Sequence, residues 1–229
     1  MGTHPSRSGL PIGRAAFLGT VLAGIAGIAV APRINGAVSG LGEAVPGLGA
    51  LVPSSGWRIY TVNPPMPTFD PQSYRLRVHG LVEQPLDLSW KDVLAVRGEV
   101  QRNDFHCVTG WSVYDVGWEG IGARTLVDLV KPRPQATHVR FVSMELPYED
   151  QLELGQFLQP EVMLARRMDG RPMPREHGAP LRLVIPQMYG YKGVKWVSEI
   201  VFEDAARPGF WEQRGYDVDA FVGRSNGYG

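Results

Sequence analysis

Cysteine occurs once in the 229 residues, as Cys107, inside the run Asn103-Asp104-Phe105-His106-Cys107-Val108-Thr109-Gly110-Trp111. A chain with one thiol can form no internal disulfide, no Cys-x-x-Cys pair, no cysteine zinc site and no four-cysteine iron–sulfur cluster. A buried apolar core therefore has to hold it folded, and a hydrophobic content of 44% with 20% charged residues is enough to build one. For the thiol itself three roles remain: an inert core residue, a nucleophile, or one soft ligand to a metal. Composition alone favours the first, because free cysteine is among the most buried residue types.

The formal net charge is zero and no long basic run is present, so nucleic acid is not an expected partner. The cations are lopsided, with 19 Arg against 4 Lys, and arginine grips phosphates and carboxylates with a planar fork. Residues 1–31 differ from the rest: Arg7 and Arg14 precede an uncharged stretch from Ala15 to Ala31, the pattern of an export signal or a membrane anchor. Gly13-Arg14-Ala15-Ala16-Phe17-Leu18-Gly19 resembles a twin-arginine signal with Ala15 where the second arginine would stand. Ala29-Val30-Ala31 has the form of a cleavage site, but Pro32 follows it, which leaves an uncleaved anchor open. An extracytoplasmic location is expected either way. Residues 32–56 are rich in Gly, Pro, Ala and Ser and read as a flexible linker, which starts the domain at Trp57 and runs it to residue 229.

Within the domain, β-branched and aromatic runs predict strands over Tyr74–His79, Glu99–Phe105, Thr137–Ser143, Glu161–Met168, Leu181–Ile185 and Trp196–Phe202. Helices are predicted over Ser89–Val96, opening on an N-cap serine, and over Ala123–Val130, stopped by Pro132. The class expected is α+β, a β-rich core with short helices. Phosphate-loop, dinucleotide, zinc-protease and serine-hydrolase motifs are absent from the sequence. Two other blocks carry chemistry. Arg175-Glu176-His177-Gly178-Ala179-Pro180-Leu181-Arg182 leads a His-Gly turn into an apolar strand, and Tyr189-Gly190-Tyr191-Lys192-Gly193-Val194-Lys195-Trp196 sets two lysines among glycines. An arginine fork, a lysine and main-chain N–H groups bared at glycine form a sensible phosphate cradle.

Together, Cys107 with Trp111 and Trp118-Glu119-Gly120 behind it, the His-Gly-x-Pro-x-Arg block and the Gly-x-Lys-Trp block resemble the molybdopterin-binding domain of the sulfite oxidase family, over about Trp57 to Tyr216. The short, haem-free bacterial members are the most similar. The resemblance implies the sulfite oxidase-type fold and a molybdenum–molybdopterin cofactor, with Cys107 as metal ligand and catalytic centre. It assigns cofactor binding to His177, Arg182, Gly193, Val194 and Lys195, and also to Ser143 and Asn63. The methionine sulfoxide reductase branch carries asparagine where this chain has His177, and the sulfite oxidase branch carries histidine. Molybdenum favours soft thiolate, so one protein sulfur beside a pterin dithiolene suits a chain with a single cysteine. Strand alternation turns His106 away from Cys107, giving it a supporting role rather than contact with the metal.

The activity implied is oxygen-atom transfer on a small substrate, of the sulfite oxidation type, with sulfoxide reduction as the alternative. A cysteine hydrolase and a non-catalytic binding module are the remote ones. Arg58, Arg102 and Arg124 are candidates for gripping an anionic substrate. The sequence holds no haem-attachment motif and no cluster cysteines. No haem and no iron–sulfur cluster are therefore expected, and electrons would pass to a separate carrier such as a cytochrome or a membrane haem subunit. A monomer is expected, because the resemblance does not extend to the additional domain through which larger sulfite oxidases pair.

Overall fold

The computed structural model describes residues 56–225 and 227, so the expected signal or anchor, and the linker as far as residue 55, lie outside the described residues. One sheet contains β1 (Arg75–Gly80), β2 (Leu86–Ser89), β5 (His138–Ser143), β6 (Glu149–Glu153) and β10 (Val197–Glu203), in the order β2-β1-β10-β5-β6. The second contains β3 (Glu99–Cys107), β4 (Trp111–Gly122), β7 (Met163–Met168), β8 (Arg171–Pro172) and β9 (Arg182–Val184), in the order β3-β4-β7-β8 with β9 also paired to β7. Strand β10 runs parallel to β1 and antiparallel to β5. Three short helices, α1 (Trp90–Ala95), α2 (Ala123–Val130) and α3 (Leu154–Phe157), complete the β-rich α+β domain that the sequence predicts. Among the described residues no helix is long and apolar enough to cross a membrane.

Local chemistry explains the elements. In β1, Leu76 and Val78 point into the core and Arg75 and Arg77 point out, the period of two that a half-buried strand requires. The side chain of Ser89 caps α1 and Asp92 answers it in a capping box. Helix α2 buries Ala123, Leu126 and Val130, one face at helical spacing. Strand β4, the longest at 12 residues, is not predicted by the sequence, because Gly117, Gly120 and Gly122 break its pattern. The structure gives one reason for Gly120: a Cβ there would stand 2.0 Å from the Leu164 carbonyl oxygen, beside a register shift in the β4–β7 pairing.

The second sheet is buried on both faces along β7 and β9. On β7, Leu164 joins the main core with Leu76, Phe141 and Ile200 of the first sheet, while Met163 and Ala165 face a smaller cluster with Trp118, Met173 and Val184. On β9, Leu183 belongs to the main core and Val184 to the smaller cluster. Arg182, two residues from Val184, therefore emerges on the side of the smaller cluster, where Trp57 also packs.

Candidate functional site

A cavity of about 210 Å³ opens on that side, and Cys107, His177, Arg182, Gly193 and Lys195 all line it. The lone thiol thus meets the two chemistry-bearing blocks about 70 residues further along the chain. Cys107 ends β3 opposite Trp111. A tight turn follows, in which the Gly110 N–H donates to the Cys107 carbonyl at 3.0 Å and Gly110 takes φ +87°, a conformation that favours glycine. The half-buried Sγ lies 3.2 Å from the Thr109 hydroxyl. Phe105, on the same strand face, lines the cavity beside it, whereas His106 turns away and bonds Ser112 through Nδ1 at 2.8 Å.

His177 is delivered by a 3-10 turn, Arg175–His177, that ends at Gly178 with φ +113°. A Cβ on Gly178 would meet Lys195 Cβ at 3.0 Å, so the glycine lets the two cradle blocks touch. Burial, with Arg182 adding repulsion, lowers the His177 pKa to about 4, which leaves the imidazole neutral near neutral pH. Arg182 is buried between the rings of Phe105 and Trp118, at 5.2 and 5.3 Å. Its Nη1 donates to the His177 carbonyl at 3.3 Å, and its buried Nε has no hydrogen-bond partner. Burial alone pulls this guanidinium down to about 10. Burial, and then Arg182, pull Lys195 down to about 8. The Lys195 ammonium donates to two main-chain carbonyls, Tyr60 at 2.6 Å and Glu176 at 3.2 Å. Among the described residues neither cation has a carboxylate within ion-pair distance, so on that wall Arg182 and Lys195 lack a direct ion pair.

The remaining predicted residues sit beside the cavity rather than on it. Ser143 is buried; its hydroxyl donates to the Lys195 carbonyl at 2.8 Å and accepts the Glu145 N–H at 2.9 Å. Asn63 donates through Nδ2 to the Leu146 carbonyl and through its main chain to Glu145. The Val194 side chain is fully buried in the main core, and its carbonyl accepts from Leu183. The glycines supply space rather than free donors: the Gly190 N–H is taken by His106 O and the Gly193 N–H by Gly190 O. Of the three candidate arginines, Arg58 lines the cavity, Arg102 pairs with Asp115 at 2.7 Å on the exposed side of β3, and Arg124 starts α2 away from it. Lys192 does not join the cradle. It is buried between Asp150 and Glu212, 2.5 Å from each, and its pKa is raised because these two carboxylates outweigh the cost of burial.

Sequence reasoning missed Trp57, Glu145 and the aromatic walls Tyr148, Trp211 and Tyr216. Trp57 packs tilted against Phe105 at 4.8 Å and edge-on to His177 at 4.7 Å. Its signal was a large aromatic opening the domain directly after a Gly/Pro-rich stretch. Trp196 holds φ +53°, a region costly for a bulky residue, and is kept there by full burial and an indole N–H bond to Arg175 O at 2.8 Å.

The cavity thus brings one thiol and two buried cations to the same space, and comparison with known proteins gives the class. Residues 63–211 match the oxidoreductase molybdopterin binding domain family, and the chain belongs to that family, as a sulfite oxidase-type enzyme. The oxidoreductase YuiH of Bacillus subtilis (strain 168) is 39% identical over 149 residues, covering 65% of this chain and 75% of that protein. The protein-methionine-sulfoxide reductase catalytic subunit MsrP of Gluconobacter oxydans (strain 621H) is 33% identical, over 69% of this chain and 56% of the relative. The same subunit from Campylobacter jejuni subsp. jejuni is 30% identical, over 63% and 54%. The chain spans about half the length of these reductase relatives. In fold it is similar to the sulfane dehydrogenase SoxCD of Paracoccus pantotrophus, with a TM-score of 0.58 at 23% identity over 62% of this chain and 41% of that one.

Proposed function

We propose that this enzyme binds molybdenum–molybdopterin in the cavity and transfers an oxygen atom to or from a small sulfur-containing substrate. The observation that carries the reading is that one wall offers a single thiol while another offers two cations without carboxylate partners. The residues fit the group. An anionic phosphate would satisfy the orphaned Nε of Arg182 and the Lys195 ammonium, and a soft metal would take the Cys107 thiolate. Among the described residues no cluster of three or more His, Cys, Asp or Glu gathers to hold a metal alone. When bound, the cofactor supplies a two-electron couple and the place where oxygen is exchanged.

The chain's own residues then have distinct tasks. Cys107 holds the metal, with the Thr109 hydroxyl able to donate to its sulfur. Neutral His177 adds hydrogen bonding without charge, and Trp57, Phe105 and Trp111 exclude water. Arg58 is the candidate for an anionic substrate. His177 favours sulfite oxidation, while the reductase relatives favour the second reading, sulfoxide reduction. Electrons pass to a separate carrier, in keeping with relatives described as catalytic subunits. Arg7, Arg14 and the uncharged stretch after them support an enzyme outside the cytoplasm, with a twin-arginine-like export signal or an uncleaved anchor as the route.

The test is elemental analysis and EPR of protein made in a molybdate-fed host, wild type against Cys107→Ser. About one molybdenum per chain is expected in wild type, with an altered signal in the serine variant. Absence of molybdenum from wild type, or identical signals, overturns the reading. Reduction by sulfite against reoxidation by sulfoxides then separates the two substrates.

A further inference from the structure

The segment Trp57–Asn63 lines the cavity through Trp57, Tyr60 and Val62 and is fastened at Thr61–Asn63 by one buried carboxylate. Glu145, 3% exposed, accepts through a single oxygen, Oε1, from the Thr61 hydroxyl, from the Val62 N–H at 2.9 Å and from the Asn63 N–H at 3.2 Å. The Glu145 main chain continues the connection, since its N–H donates to Ser143 Oγ, which donates to the Lys195 carbonyl. Lys195 Nζ returns to the segment at Tyr60 O. The result is a closed ring of hydrogen bonds from the strap to Glu145, Ser143, Lys195 and back.

We propose that Glu145 is a positioning residue that fixes the strap carrying Trp57 and the cradle carrying Lys195 as one piece around the cofactor. Trp57 shows what the ring accomplishes, because it brings the strap against Phe105 of the thiol wall and His177 of the cradle wall at once. Lys195 shows how the ring accommodates a ligand. Its ammonium is held by neutral carbonyls; an anion that drew it off Tyr60 O would open that one link of the ring, while strap and cradle stay joined through Glu145 and the Ser143 bond to the Lys195 carbonyl. The strap therefore remains tied to the cradle through Glu145 when the Tyr60 link is given up. The part of this proposal that concerns retention rests on the cofactor reading above; the part that concerns fastening does not.

Two measurements on the full chain test it. In metal-free protein, hydrogen exchange is followed by mass spectrometry for peptides covering Thr61–Asn63 and, as a control for folding, for β10. Glu145→Ala is expected to speed exchange in the strap roughly tenfold or more, since hydrogen bonds to a charged acceptor are lost. The control peptides should stay unchanged, and Glu145→Gln, which keeps a carbonyl acceptor, should fall between. In loaded enzyme, release of pterin is followed by the fluorescence of the oxidised product. The alanine variant is expected to release it about tenfold faster and the glutamine variant less so. Unchanged strap exchange in both variants overturns the proposal, as does faster strap exchange with an unchanged release rate. If the alanine variant does not fold, the glutamine variant decides on both measurements. If wild type holds no pterin, the cofactor reading fails, and the exchange comparison still decides whether Glu145 fastens the strap.

Discussion

Replacing Lys192 with methionine isolates the energetics of the buried group behind the cradle. The lysine and its two carboxylate partners are each about 1–2% exposed, so removal of the cation leaves Asp150 and Glu212 facing each other without compensation. Breaking a buried pair in this way costs about 3–5 kcal/mol, which for a domain of this size lowers Tm by roughly 6–20 °C. The cost depends on pH, and the sign follows from Asp150. Burial, with Glu212 adding to it and Lys192 opposing, pushes its carboxyl up to about 7. A carboxyl raised on folding binds its proton more tightly in the folded state, so the penalty of its charge is present above the folded value and vanishes as the pH falls toward the unfolded one. Without Lys192 the carboxyl rises further. Urea unfolding of Lys192→Met against wild type should therefore show a larger deficit near pH 8 than near pH 5, where Asp150 is protonated in both folded proteins, and the deficit should reach its full size only above the raised carboxyl's own value. A deficit equal at both pH values, or below about 1 kcal/mol near pH 8, would refute the reasoning.

Three further outcomes are expected. Because the Lys195 ammonium is lowered to about 8, binding of inorganic phosphate as a probe should weaken by up to about tenfold per pH unit above that value, and Lys195→Arg should flatten the profile, read by calorimetry. Arg182→Met should stabilise the metal-free protein by about 1–3 kcal/mol, because it removes a buried charge with no carboxylate partner, while molybdenum content falls; destabilisation would count against the anion-cradle reading. Gly190→Ala would put a Cβ 2.1 Å from Phe105 Cζ and should cost about 1–3 kcal/mol with altered tryptophan fluorescence, whereas Gly155→Ala, with nothing within 4 Å, should be neutral or mildly stabilising by denaturant titration.

The regular periods were legible from sequence. Leu76 and Val78 alternate with charges in β1, and Ala123, Leu126 and Val130 recur at helical spacing in α2, so both elements were predicted close to their ends. Strand β6, Glu149–Glu153, was missed because its sequence EDQLE carries three acids, two of which find partners only in the folded state: Asp150 pairs with Lys192 and Glu149 with Arg140. The same holds at the site. Arg182 and Lys195 were readable as cations near glycines, but nothing local distinguishes Lys195 from Lys192, three residues earlier. Only the packing of Asp150 and Glu212, 42 residues before and 20 after, draws Lys192 out of the cavity. Glu145 was invisible for a related reason, because the donors it collects lie 82 to 84 residues away.

The place of β10 between β1 and β5 has a consequence for how such a chain is made. Arg77 and its neighbour Glu199 are 122 residues apart, so the first strand has no sheet partner on that side until nearly the whole domain has left the ribosome. A nascent chain ending before Val197 would hold β1 and β2 as a lone hairpin and β5 and β6 as another, each marginal by itself. Lys195 and Trp196 immediately precede the joining strand, and the cavity walls Trp211 and Tyr216 follow it, so the sheet and the cavity are both completed late. On the proposed reading, the cofactor would enter after synthesis, into a chain already closed, and a stalled or truncated translation product should be unable to sequester it.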